Sequence, residues 1–264
     1  MTEIIGYILA TVIGISLGLI GGGGSILTLP ILVYLLGISP VLSTAYSLFI
    51  VGSTSLVGSV SYMKKELVNY QTAIIFAVPS FLAVFLTRKF LIPAIPDALF
   101  HLGDIEVTKD LGIMVLFALV MLIASYSMIT ERNIEINEQE TLKYNYPLIA
   151  IEGLIVGTLT GVIGAGGGFL IIPALVLLVR LPMKMAVGTS LLIIAAKSLI
   201  GFLGDLGNQA IDWQFLLIFT ALSIVGIFFG TYLTKFIPGE KLKKSFGYFV
   251  LIMAVYILVE EVIL

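Results

Sequence analysis

Apolar stretches of about 20 residues, each long enough to cross a bilayer, recur along nearly the whole chain. Residues 111–130, LGIMVLFALVMLIASYSMIT, carry no charge at all. A segment that crosses lipid must satisfy its own backbone N–H and C=O groups, and a helix does this locally. Of the 264 residues, 59% are hydrophobic and only 11% charged, with a mean hydropathy of +1.15. That is too little charge to clothe a soluble domain of this length. The expected fold class is all-α: a polytopic integral membrane protein embedded in the lipid bilayer.

Several function classes drop out at once. A net charge of −2 provides no basic footprint for nucleic acid. Without cysteine there are no disulfides, iron–sulfur clusters or thiol chemistry, and no cofactor is expected. The longest polar stretch is roughly 131–145, too short for a soluble domain. The N-terminal segment MTEIIGYILATVIGISLGLIG lacks a basic flank and a small-residue cleavage site, so it reads as retained. Oligomeric state leaves no mark on the sequence.

The chain is duplicated. An offset of 143 residues carries GLIGGGGSILTLP (18–30) onto GVIGAGGGFLIIP (161–173) and SLFIVGSTSLVG (47–58) onto SLLIIAAKSLIG (190–201). Tyr70 then falls on Trp213. Each copy has two short apolar segments flanking the glycines (4–20 and 25–36; 146–163 and 168–179). Three longer ones follow in each (40–63, 69–92 and 111–130; 184–204, 212–235 and 243–262).

Loop charges swap sign between equivalent loops: KKE (64–66) corresponds to GDLGNQAID (204–212), and the uncharged GISP (37–40) to a loop with Arg180 and Lys184. This predicts that the second copy is inverted. It places 64–66, 131–145, 180–184 and 235–244 inside, 37–40, 93–110 and 205–212 outside, and both termini outside the cell membrane. The domains expected are a first transmembrane repeat over 1–130, a cytoplasmic linker over 131–145 and a second, inverted repeat over 146–264.

Each glycine costs a helix interior about 1 kcal/mol relative to alanine, so a run of them breaks it. Broken backbone at membrane depth survives only where protein buries it or a watery cavity meets it. Inverted copies bring the two breaks together. A helix restarting there presents bare N–H groups and a positive dipole end, and glycine lets a ligand approach the backbone closely. The candidate anion-binding residues are therefore Gly21, Gly22, Gly23 and Gly24 with Gly164, Gly166, Gly167 and Gly168. Ser25 serves as N-cap or direct donor. The competing reading is close helix packing, although packing motifs space small residues by four. Pro30 and Pro173 either sit inside helices starting near 25 and 168 or start those helices themselves.

Lys197 lies deep in an apolar helix, where a charge costs about 3 kcal/mol on insertion scales and marks function by default. Either it compensates an anion or its stem snorkels to the interface. The aligned residue is Thr54. Hydroxyls at Thr44, Ser47, Ser53, Thr54 and Ser55 face a second set at Thr189, Ser190 and Ser198. Each can hold an oxyanion or bond a carbonyl one turn back. Ser47, Thr189 and Ser190, near the starts of equivalent helices, join the candidate set. Glu152 is open to three roles: proton coupling, pairing with a lysine, or anchoring at the interface. His101, with Asp97, Asp104 and Glu106 in an outer loop, reads as solvated, and no metal site is expected.

The doubled GGGGSILTLP and GAGGGFLIIP motifs, each followed by a hydroxyl-rich helix (TAYSLF; VGTSLL), resemble the sulfite exporter TauE/SafE family over essentially the whole chain. The resemblance implies a transporter of small sulfur-containing anions, sulfite or organosulfonates, built from inverted halves. The expected function is thus a secondary transporter that exports such an oxyanion by alternating access, not an enzyme. A small-anion channel is the alternative.

Overall fold

The computed structural model describes residues 2–102, 105–130, 146–163, 168–179, 181–206 and 210–262. Helix starts follow polar punctuation in the sequence. Helix α1 covers Thr2–Ile20 and α2 Gly23–Pro30, continued by a π-helical turn over Ile31–Leu35. Helix α3 (Pro40–Met63) has proline in its first turn, where a missing N–H costs nothing. Asn69 caps α4 (Tyr70–Leu86) by accepting from the Thr72 N–H at 3.0 Å, and a π-turn (Thr87–Leu91) and the short α5 (Ile92–Ala94) prolong it. A β-hairpin, β1 (Ala98–Leu102) and β2 (Ile105–Thr108), leads into α6 (Lys109–Thr130).

The second copy repeats this order. Helix α7 (Tyr146–Ile163) precedes α8 (Gly168–Pro173), which a π-turn (Ala174–Leu178) continues, and α9 (Met183–Leu203) follows. Then come α10 (Trp213–Leu233), capped by Asp212 through the Phe215 N–H at 3.1 Å, and α11 (Gly239–Val262). Among the described residues, five helical stretches are long and apolar enough to cross a membrane: α3, α4 with its extension, α6, α9 and α10.

The helix pairings show the inversion. Helices α1 and α10 run parallel, with Gly14 against Ser223 and Ile227 and Gly18 against Ile227 and Thr231. The repeat-related pair, α7 and α4, likewise runs parallel across the copies: Gly153 meets Phe76, Gly157 meets Ser80, and Gly161 meets Val84 and Thr87. Small residues let these backbones approach closely, which is what drives association in lipid. Helices α3 and α9 cross antiparallel, Gly52 lying against Leu199 and Gly188 against Tyr62. Helix α11 packs along α6, with Gly247 against Met128 and Ile129.

Two ends result. At one, Lys65 lies within electrostatic reach of Lys235 and Lys184 and donates to the Thr231 carbonyl at 3.1 Å. Burial first, then those two neighbouring cations, lowers the Lys65 pKa. At the other, Arg88 pairs with Asp205, Lys109 with Asp97, and Tyr34 donates to Glu261 at 2.8 Å. The two loops compared by charge, at 64–66 and after Leu203, therefore lie at opposite ends, as the swapped charges require.

Two expectations need correction, and a choice left open between two is settled. Residues 98–102 and 105–108, expected as part of a loop, form paired antiparallel strands in which His101 is registered with Glu106. Ser25 is not an N-cap: α2 begins two residues earlier, its N-cap is Gly22, and no side chain caps it. Pro30 and Pro173 end α-helical segments rather than starting them. Proline's missing N–H breaks the i→i−4 ladder, and a longer register follows. Leu36 N–H bonds the Ile31 carbonyl at 3.1 Å and Val179 N–H the Ala174 carbonyl at 3.2 Å, at aligned positions.

Candidate functional site

The chain leaves α1 at Gly21, whose φ of +74° is open to glycine and strained for any other L-residue. The Gly21 N–H closes the helix on the Leu17 carbonyl at 2.7 Å. A β-carbon at Gly21 would lie 2.7 Å from Ser190 Oγ and 3.2 Å from Val187 Cα of α9, so the bend is pressed against that helix. Beyond Gly22, α2 turns back along α1, with Gly24 against Ile13 and Leu17. Gly23, Gly24 and Ser25 form the uncapped first turn of α2, where backbone N–H groups lack intrahelical acceptors.

The two bends meet. Gly168, the first residue of α8, sits so close to the first bend that a β-carbon there would lie 2.6 Å from Gly22 Cα and 3.1 Å from the Gly21 carbonyl. Ile194, in the middle of α9, closes the same space at 2.6 Å. Gly164, Gly166 and Gly167 lie outside the described residues.

Lys197 is one turn beyond Ile194 on the same helix and is completely buried. Its Nζ donates to Thr160 Oγ1 of α7 at 3.0 Å, so it points into the bundle instead of snorkelling. The next residue, Gly161, offers its carbonyl to Arg88 Nη1 at 3.4 Å. Two buried cations thus meet the last turn of α7, the negative end of its dipole. Arg88 is neutralised by Asp205, with Nε at 2.8 Å and Nη2 at 2.8 Å from Oδ2. Lys197 has no carboxylate bonded to it among the described residues.

Several buried hydroxyls on α3 and α9 stand without partners among the described residues. Thr54 and Ser55 of α3 and Ser198 of α9 are fully buried and have no hydrogen-bond partner among the described residues. Thr54 and Lys197 each lie two residues, about 3 Å along the axis, from the Gly52–Leu199 crossing. Ser47 is likewise buried without a partner. Ser190 donates to the Val187 carbonyl at 2.9 Å beside Gly21. Thr189 is engaged differently: its oxygen accepts the Asn69 N–H at 2.9 Å, at the start of α4. Its aligned residue, Tyr46, does the same for Asp212 at 2.7 Å. Glu152 is partly buried, and both carboxylate oxygens lack partners among the described residues. It sits eight residues before Thr160 on α7, about 12 Å along the axis, so it is not brought to Lys197. Among the described residues no cluster of His, Asp and Glu is arranged to hold a metal ion.

Sequence reasoning missed Arg88, Asp205 and Tyr62 as a set. Tyr62, also buried, donates from Oη to the Gly18 carbonyl at 2.8 Å. The repeat offset carries Tyr62 onto Asp205 and Thr231 onto Arg88, a signal available in the sequence.

The family model described as sulfite exporter TauE/SafE matches residues 7–257. The chain belongs to the TauE/SafE family. A probable membrane transporter protein of Xylella fastidiosa (strain 9a5c) is 29% identical over 251 residues, covering 93% of this TauE/SafE chain and 91% of its own length. The probable membrane transporter protein YunE of Bacillus subtilis (strain 168) is 29% identical over 247 residues, or 87% and 86% of the two chains. The probable membrane transporter protein MJ0441 of Methanocaldococcus jannaschii is 36% identical over 116 residues, 42% of this chain and 43% of its own. No solved structure matches the chain. This TauE/SafE protein is a multi-pass membrane transporter.

Proposed function

We propose that the protein exports a small sulfur-containing oxyanion, sulfite or an organosulfonate, across the cell membrane by alternating access. The observation that carries this reading is Lys197: a fully buried lysine with no carboxylate bonded to it among the described residues, one turn from the place where two broken helices meet. An unpaired charge away from water is costly, and an anion arriving beside it relieves that cost. Sulfite offers little apolar surface, so its recognition falls to N–H, O–H and positive charge. The uncapped first turn of α2 and the unpartnered hydroxyls of Ser47, Thr54, Ser55 and Ser198 supply such donors.

Broken helices at the interface of inverted copies suit a site that stays fixed while one half rocks against the other. Lys65, Lys184 and Lys235 gather at one end, whereas Arg88 and Lys109 at the other are each paired with a carboxylate, which favours a cytoplasmic Lys65 end and external termini. Flux of labelled sulfite, sulfate, thiosulfate and sulfoacetate into proteoliposomes, with and without a pH gradient, tests the proposal. Saturable sulfite or sulfoacetate uptake that sulfate does not match supports it. Unitary currents in a planar bilayer would instead favour the channel, and no flux of any of the four ends the substrate assignment.

A further inference from the structure

At the Asp205 end of the bundle one buried guanidinium ties four helices together. Arg88, at the extension of α4, holds both Asp205 oxygens through Nε at 2.9 and 2.8 Å. It also donates through Nη1 to Thr44 Oγ1 of α3 at 2.8 Å and to the Gly161 carbonyl of α7 at 3.4 Å. Arg88 and Thr44 belong to the first copy, Asp205 and Gly161 to the second. At the Lys65 end the repeat offset puts Tyr62 where Asp205 stands, Thr231 where Arg88 stands and Gly18 where Gly161 stands. There the tie is weaker: Tyr62 Oη donates to the Gly18 carbonyl at 2.8 Å, and the half-exposed Lys65 donates across the copies to the Thr231 carbonyl at 3.1 Å. Each junction grips the last turn of the helix that leads into a glycine bend, on the side facing its own end of the bundle.

We propose that these two junctions are the alternating gates of the transporter, a charge-paired gate at the Asp205 end and a lysine–carbonyl gate at the Lys65 end. The proposal rests on the alternating-access reading above and adds which contacts must break for each opening. Rocking one copy against the other cannot open the Asp205 end while Arg88 holds Asp205 and Gly161. Nor can it open the Lys65 end while Lys65 of the first copy holds the Thr231 carbonyl of α10 in the second. Because a buried ion pair is harder to part than one exposed lysine–carbonyl bond, the unloaded protein opens more readily toward the Lys65 end.

The chain has no cysteine, so a single Ser198→Cys reporter is clean. Ser198 is fully buried on α9, between Lys197 and Asp205. In proteoliposomes, a membrane-impermeant maleimide applied from either side reads the opening of each gate. Expected are faster basal labelling from the Lys65 end and a rise of about tenfold from the Asp205 end in Asp205→Asn. Lys65→Met should raise labelling from the Lys65 end alone. Thr44→Val removes one neutral bond and keeps the ion pair, so it should give a rise of about two- to fourfold from the Asp205 end even if Asp205→Asn folds poorly. Unchanged labelling in Asp205→Asn and Thr44→Val, or an equal rise from both ends, overturns the assignment. Sulfite flux in the wild type separates the two claims. Flux with unaltered labelling defeats the gates alone, and absent flux with the expected labelling defeats the substrate alone.

Discussion

The two copies build one backbone with different side chains. Asn69 and Asp212 cap equivalent helices. Thr189 and Tyr46, unlike in size, accept the N–H of those same capping residues. The π-turns after Pro30 and Pro173 close through aligned bonds. Where charge enters, the copies part: Lys197 stands opposite Thr54, Asp205 opposite Tyr62, and Arg88 opposite Thr231. A position that only satisfies the backbone accepts any group offering the same bond. A position that compensates charge does not, so the buried electrostatics are one-sided although the fold is two-fold.

That contrast is easiest to break at the Arg88 junction. Asp205→Ala leaves a buried guanidinium unpaired and should cost about 3–5 kcal/mol. Tyr62→Phe removes one neutral bond and should cost about 1 kcal/mol. Unfolding in mixed micelles measures both, and equal losses would mean that the two ends are equivalent. Next in size, Lys197→Met should cut sulfite flux by about 100-fold, or roughly 2.7 kcal/mol, whereas Thr54→Val should cost less than about fivefold. Matching losses would make the site symmetric. Gly21→Ala forces a positive φ on an L-residue beside Ser190 and Val187 and should cost about 1–2 kcal/mol, or more if α9 shifts, read as a lower melting midpoint. Smallest are the caps: Asn69→Ala and Asp212→Ala should each cost about 1 kcal/mol, and similar values would confirm that the backbone plan is shared.

The spans, the duplication, the inversion and the approach of the first glycine bend to the start of α8 were legible because each rests on apolar length, self-similarity or helix-breaking residues. Arg88 was not, since in FLTRKF it reads as the basic flank of a span beside Lys89. Only α9 packing alongside α4 shows Asp205 waiting for it. The hairpin at 98–108 was hidden by its charges, although alternation around Gly103-Asp104 is a turn signal. The start of α2 at Gly23 was masked by a plausible cap at Ser25. Nothing local distinguishes those two starts once tertiary packing against α1 decides.

Sulfite titrated onto the purified protein, followed by heat or by intrinsic fluorescence, tests the role of the buried cation most directly. Lys197→Gln should weaken binding by about 100-fold while Lys65→Gln, at the exposed end, leaves it within about twofold. Undiminished binding to Lys197→Gln would contradict the claim that an anion is held where the two glycine bends meet.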